Sequence, residues 1–342
     1  MPSSTSSSEP PAGHRARRGL IALAGAIAGF FALGIAAWQA VPFSPVSEQR
    51  YLAAVEDHLA MLEASRGEEG RIVLVGGSGT AFSVSAEHLA QELGRPVYNG
   101  GIQASIGVRN LIDLYLPRLD PERDLIVLLV EPELLVEDER HSQTWCDVIY
   151  LRKDLAGLAA RPRCLPNILD RTWQELRHHA SGSRVTDPVY RRSAFNARGD
   201  VTAHLALDRP APDLSDYRFP PLDKGEIERF SAYVEDELAG RGFALAYVPA
   251  AIPATACERS QEQVLAFHRA LGALTSGGPV MKDIAAETGA FCLAPDLFFD
   301  GAGHLGAAGR ALHTGNVAGH IRRFLARGEE AGRAALAPGG SR

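Results

Sequence analysis

"RIVLVGGSGTAFSVSAEHLAQELGRPVYNGGIQAS" (residues 71–105) opens on a run of β-branched and aliphatic residues that stops at three glycines around one serine, Ser78. A short apolar run bounded by glycine predicts a strand buried on both faces. "SAEHLAQEL" has helical spacing and "PVYNGG" reads as a second strand. A tight turn between strand and helix puts the Ser78 side chain at the carboxyl edge of a sheet, where open α/β sheets bind ligands. Taken alone, such a serine is commonly just a helix N-cap.

Three glycine-loop chemistries fail on spacing. A phosphate-binding P-loop needs a lysine after its last glycine, and none follows Gly79. The dinucleotide fingerprint needs a third glycine where Phe82 stands, and an acid after the second strand, where "YNGG" has none. An α/β-hydrolase elbow belongs in mid-chain, not directly after the first strand. What survives is a serine that becomes nucleophilic only with a base, and that base needs an orienting carboxylate. "LFFDGAGHLGAAGRAL" supplies Asp300 and His304 near the far end of the chain.

Working outward, strands and helices alternate. "DLIVLLVEP" is a third strand, "FALAYVPAAIP" a fourth and "AFCLAPDLFF" a fifth, with helices over "GVRNLIDLYLPRL", "KGEIERFSAYVEDELAGRG", "SQEQVLAFHRALGAL", "VMKDIAAETG" and "LGAAGRALHTGNVAGHIRRFLA". This order predicts an α/β fold: a three-layer, doubly wound parallel sheet of about five strands. The domain runs over residues 71–327, with an insertion at 137–222 read as a lid over the carboxyl ends of the strands. Residues 328–342 read as a flexible tail. His58, His88 and His268 lie in amphipathic helices and are expected at the surface.

Residues 19–41 carry no charge for 23 positions. A helix of that length spans about 34 Å, enough for a hydrocarbon core of about 30 Å. Residues 1–18 are rich in Ser and Pro and then basic, which predicts a disordered cytoplasmic tail before an uncleaved signal anchor, with everything after it exported. Trp38 is expected at the outer interface. A cleaved signal peptide is the competing reading, although its apolar region is normally shorter. In residues 42–70, Leu52, Val55, Leu59 and Leu62 share one helical face and suggest a connecting helix.

Four cysteines suit an oxidising compartment. The simplest pairing is Cys146–Cys164 and Cys257–Cys292, with free buried thiols as the alternative. There is no metal-binding spacing, and no cofactor is called for. The net charge of −6, with Lys and Arg scattered, gives nucleic-acid binding no support.

Ser78 on the first turn, the "YNGGI" second turn, and Asp300 closely followed by His304 together resemble the SGNH (GDSL-like) hydrolase superfamily. More narrowly, the chain resembles its membrane-anchored cell-envelope branch, which includes the D-alanine transfer protein of teichoic acid modification and proteins of polysaccharide O-acetylation. The likeness covers roughly residues 71–132 and 242–326. It implies Ser78 as nucleophile, His304 as base and Asp300 as its carboxylate, with the N–H groups of Ser78 and Gly101 facing the oxyanion. Asn99 would steady the second turn, and Asn196 and Asp200 in "FNARGD" would contribute to the pocket.

Two positions depart from the family pattern. The third block, where the family has an Asn, reads Glu131-Pro132-Glu133, and the usual Asp-x-x-His is Asp-x-x-x-His, which leaves Asp296 as a second candidate carboxylate. The implied activity is acyl transfer outside the cytoplasm through an acyl-serine intermediate. It would act as an O-acetyltransferase or an esterase/deacetylase on a cell-envelope or exported polysaccharide, with a multi-spanning membrane acyltransferase as partner. A small-molecule or lipid esterase, or a catalytically inactive envelope scaffold, are the alternatives.

Overall fold

The computed structural model describes residues 12–136, 143–221, 223–276 and 284–336. Four strands, β1 (Ile72–Gly76), β2 (Val97–Asn99), β3 (Leu125–Leu129) and β4 (Ala244–Tyr247), form one parallel sheet in the order β2-β1-β3-β4. Alternate side chains serve two cores. Val73, Val75, Ile126 and Leu128 pack with Leu59, Leu111 and Phe267 on one face, whereas Ile72, Leu74, Val127 and Leu129 meet Leu89, Val317 and Ile321 on the other. Both faces are covered, which is why these strands are apolar along their whole length.

The start of the sheet is locked by an ion pair. Arg71, at the foot of β1, is 1% exposed and donates to both oxygens of Asp124, at the foot of β3 (2.9 and 2.5 Å). Its remaining hydrogens reach Leu62 O, Ser65 Oγ and Arg118 O, so the buried charge is fully solvated by the protein.

Among the described residues this sheet has four strands rather than about five. "AFCLAPDLFF" does not form one strand: β5 (Ile252–Pro253) pairs in parallel with β6 (Cys292–Leu293) as a separate two-stranded piece. Pro295, which has no N–H to give a ladder, opens a 3-10 turn over Pro295–Leu297. The chain then runs through β7 (Phe298–Gly301) and folds back antiparallel as β8 (His304–Leu305).

Helix Ala12–Ala40 begins inside the stretch expected to be disordered; residues 1–11 lie outside the described residues. It contains a segment, Gly19–Ala40, long and apolar enough to cross a membrane. Trp38 differs from expectation. It is 1% exposed, stacks on Tyr150 and donates its Nε1–H to Tyr150 O (3.0 Å), so the end of this helix is packed into the body. The connecting segment is likewise integral: helix Ala54–Ala64 buries Val55, Leu59 and Leu62 against the sheet.

Of the insertion, residues 137–142 and 222 lie outside the described residues, as do 280–283 of "VMKDIAAETG", whose described helix is Ile284–Gly289. The insertion carries helices Gln143–Leu151, Leu155–Ala160 and Leu165–Ser181, then a largely irregular stretch in which Arg198 O accepts from Asn99 N at the end of β2 and Tyr190 reaches Asp300. The final helix, Ala307–Leu336, continues past residue 328 into the expected tail, of which 337–342 lie outside the described residues. Both disulfides form as paired above, Cys146–Cys164 and Cys257–Cys292. His58 and His268, expected at the surface, are buried; each is shielded by aromatic rings, and burial pushes them down to about 4 and about 3. His88 is at the surface.

Candidate active site

Ser78 is the first residue of the short helix Ser78–Ser83, directly beyond β1, so its N–H has no partner within the helix and its side chain stands at the sheet's carboxyl edge. His304 opens β8. Its Nε2 lies 2.9 Å from Ser78 Oγ, and its Nδ1 lies 2.7 Å from Asp300 Oδ1. With Nδ1–H donating to the carboxylate, Nε2 keeps a lone pair for the serine hydroxyl. Phe82 stacks under the imidazole, with centroids 4.0 Å apart. Nucleophile and base lie 226 residues apart in the chain.

The hairpin explains how Asp-x-x-x-His still brings the carboxylate to the imidazole. Asp300 leaves the end of β7, Gly301 is paired with His304, and the extra residue is taken up in the reversal between them. Asp296 is exposed in the 3-10 turn and is not the residue that meets His304. Ser83 fastens the hairpin to the serine helix: its Oγ donates to Gly303 O (2.7 Å) and accepts from Leu305 N (3.2 Å).

Tyr190, from the insertion, completes the cluster. Its hydroxyl donates to Asp300 Oδ2 (2.6 Å) and its oxygen lies 3.1 Å from His304 Nδ1. Burial raises the Asp300 carboxyl, but hydrogen bonds from His304 and Tyr190, with the nearby charges of His304 and Arg209, outweigh it and hold Asp300 below the ordinary carboxylate value. Burial and the Asp300 contact push the Tyr190 hydroxyl up, so it stays a proton donor.

Gly101 departs from its expected role. Its N–H donates to Asn99 Oδ1 (2.9 Å), deep against Thr80 and Ala81, so that hydrogen is already committed. Asn99, Asn196 and Asp200 do not line the cavity beside Ser78 either; Asn196 lines a separate cleft with Ser85, His88 and Arg310. Asp200 is fully buried; it accepts from Asn99 Nδ2 (2.9 Å), Asn196 Nδ2 (3.1 Å) and Ala86 N (3.1 Å) and pairs with Arg310 (3.2 Å). This knot ties the insertion to the second turn and to helix Ala86–Leu93 behind the serine.

A cavity of about 230 Å³ opens beside Ser78 and His304. Its walls are mostly apolar, including Val130, Phe219, Ile252 and Phe267, and Glu131 supplies the carboxylate. Glu131 stands just beyond the end of β3, a buried strand. It accepts from Thr80 N (3.1 Å), and its oxygens press so closely on Gly77 and Gly79 that a Cβ at either glycine would collide with them. Sequence reasoning missed Tyr190, Ser83 and the cavity walls; only Glu131 carried a local signal, as an acid directly after a buried strand.

No protein family, curated protein or solved structure matches the chain.

Proposed function

We propose that this protein transfers acyl groups through an acyl-serine intermediate, with its body on the exported side of a membrane. The observation that carries the reading is the continuous chain Ser78 Oγ–His304 Nε2, His304 Nδ1–Asp300 Oδ1, at 2.9 and 2.7 Å. Ser78 Oγ attacks an ester carbonyl as its proton passes to His304 Nε2, and Asp300 stabilises the imidazolium. The tetrahedral oxyanion forms beside the Ser78 N–H; one such donor is worth about 2.7–4 kcal/mol. Collapse expels the leaving alcohol, which takes the proton from Nε2. A second hydroxyl, activated by the same nitrogen, then releases the acyl group.

The resemblance to the SGNH superfamily makes that second hydroxyl a sugar of a cell-envelope or exported polysaccharide, or water in a deacetylase, and supplies the multi-spanning acyl-donor partner. The strand order β2-β1-β3-β4 with both faces covered supports a doubly wound sheet of that kind. The basic flank before Gly19 supports a cytoplasmic N-terminus, and the two disulfides fit an oxidising space outside it. The apolar cavity favours a second reading, an esterase for small or lipid esters. Turnover of p-nitrophenyl esters without a glycan acceptor would select it.

The deciding experiment is labelling with a fluorophosphonate, read by mass spectrometry. An adduct on Ser78, absent from Ser78→Ala and His304→Ala, is expected. Folded protein that takes no label at Ser78 overturns the acyl-serine mechanism and leaves the inactive scaffold.

A further inference from the structure

The apolar length of the N-terminal helix does not match the length left free by the body. Residues 19–33 are exposed throughout, but from Gly34 onward the helix enters the fold. Gly34 packs so tightly on Leu169 that a Cβ there would collide with it. Beyond Trp38, Gln39 Nε2 donates to Lys153 O (3.2 Å) and Lys153 Nζ donates to Gln39 O and Val41 O (2.9 and 2.8 Å). The 15 free residues span about 22 Å, which is about 8 Å short of a hydrocarbon core of about 30 Å. A bilayer meets such a shortfall by thinning, by snorkelling of flanking residues or by oligomerisation of the protein, and apolar body surface sunk beside the anchor would remove it.

The surface beside the anchor decides between these. Helix Leu165–Ser181 runs alongside the last turns of the anchor, with Leu169 at Gly34 and His179 Nε2 at Pro42 O (2.9 Å). From Leu169 the stripe continues at helical spacing through Trp173 and Leu176, which are 55% and 43% exposed although both are large and apolar. Arg177 lies over the Trp173 ring at 5.2 Å, an indole and a cation at the place where a membrane surface offers both apolar and anionic contact. Leu155, two residues beyond Lys153, is also exposed.

We propose that the insertion helix Leu165–Ser181 is sunk into the outer leaflet beside the anchor, with Leu169, Trp173 and Leu176 in the acyl–headgroup boundary and Arg177 at the phosphates. The occupant of this face is lipid. The anchor and the helix together then hold the body at one tilt and height, so the Ser78 cleft meets substrate at a fixed distance from the bilayer. This rests on the anchor reading and is independent of the acyl-serine chemistry.

The test uses the full chain in phosphatidylethanolamine–phosphatidylglycerol vesicles whose acyl chains are brominated at shallow or deep positions. Shallow bromines are expected to quench a part of the tryptophan emission that Trp173→Phe lacks, and aqueous iodide is expected to spare it. Quenching of that part by iodide alone means the helix stands in water and overturns the proposal. Protection from both quenchers means a protein covers the stripe, and overturns it as well. Retention of the chain through alkaline carbonate washing separates these results from failure of the anchor; a chain washed off the vesicles sinks both. Leu176→Ser with Arg177→Ser, which keep Trp173 as the reporter, should lose the shallow contact while keeping the wild-type circular dichroism and fluorophosphonate labelling.

Discussion

Tyr190 donates to Asp300 on Oδ2, the oxygen that His304 does not use, at 2.6 Å. The contact joins the insertion to the C-terminal hairpin across 110 residues. It fixes the plane of the carboxylate and so the direction in which the imidazole faces Ser78. It is also one of the two hydrogen bonds that keep Asp300 ionised.

Tyr190→Phe removes the donor and leaves the ring. A hydrogen bond to a charged group is worth about 1.5–3 kcal/mol, so kcat/KM should fall about 10- to 100-fold. The sign of the pH effect is fixed: without this donor the Asp300 carboxyl rises toward its ordinary value, protonates at higher pH, and the acid limb of the kcat/KM profile moves up. A uniform loss at every pH would assign Tyr190 to packing alone.

Gly79 is held between Glu131 and Gly303. A Cβ there would collide with Glu131 Oε1 and lie 3.1 Å from Gly303 O. Gly79→Ala should push the serine helix off the hairpin, and a shift of about 1 Å costs about 100-fold in rate. Labelling by fluorophosphonate should slow accordingly while the fold persists by circular dichroism. Glu131→Ala added to Gly79→Ala opens the space and should recover part of the labelling rate; no recovery would place the clash elsewhere.

What could be read from the sequence was set by local physics. β1 and β3 are uninterrupted apolar runs because both faces are covered, and a serine at the end of such a run could only stand on the sheet's edge. Asp300 and His304 were legible because they lie four residues apart in a glycine-containing turn. The fifth strand misled because periodicity ignores Pro295, which converts a continuous apolar run into a turn and a hairpin. The committed hydrogen of Gly101 depends on the Asn99 rotamer, and the Tyr190 contact on the path of a long insertion. Neither leaves a trace in spacing. Trp38 has the composition of an interfacial anchor residue, and only the position of Tyr150 shows that it is buried.

The Arg71–Asp124 pair predicts a large effect far from the cleft. Both side chains are 1% exposed, and removing one charge strands the other. Asp124→Asn should destabilise the protein by about 3–5 kcal/mol, seen as a lower denaturant midpoint. Arg71→Met combined with Asp124→Leu leaves no stranded charge and should lose less than Asp124→Asn alone. Equal losses would mean that the guanidinium's bonds to Leu62 and Arg118 carry the stability instead.

Glu175 is expected to link stability to pH on the acid side. Its carboxylate accepts from Ser44 N, Ser47 Oγ and Tyr150 OH, tying the insertion helix to the chain leaving the anchor. Burial raises this carboxyl, but the hydrogen bonds outweigh it, so its folded value lies below the ordinary one. A carboxyl depressed on folding stabilises the native state above its unfolded value of about 4.3. That contribution disappears as pH falls through the folded value. Glu175→Gln keeps an acceptor but cannot titrate. Between about pH 6 and pH 3 the wild type should therefore lose more unfolding free energy than the variant, and the two curves should converge at the acid end. Parallel curves from denaturant titrations across this range would show that Glu175 is not linked to folding.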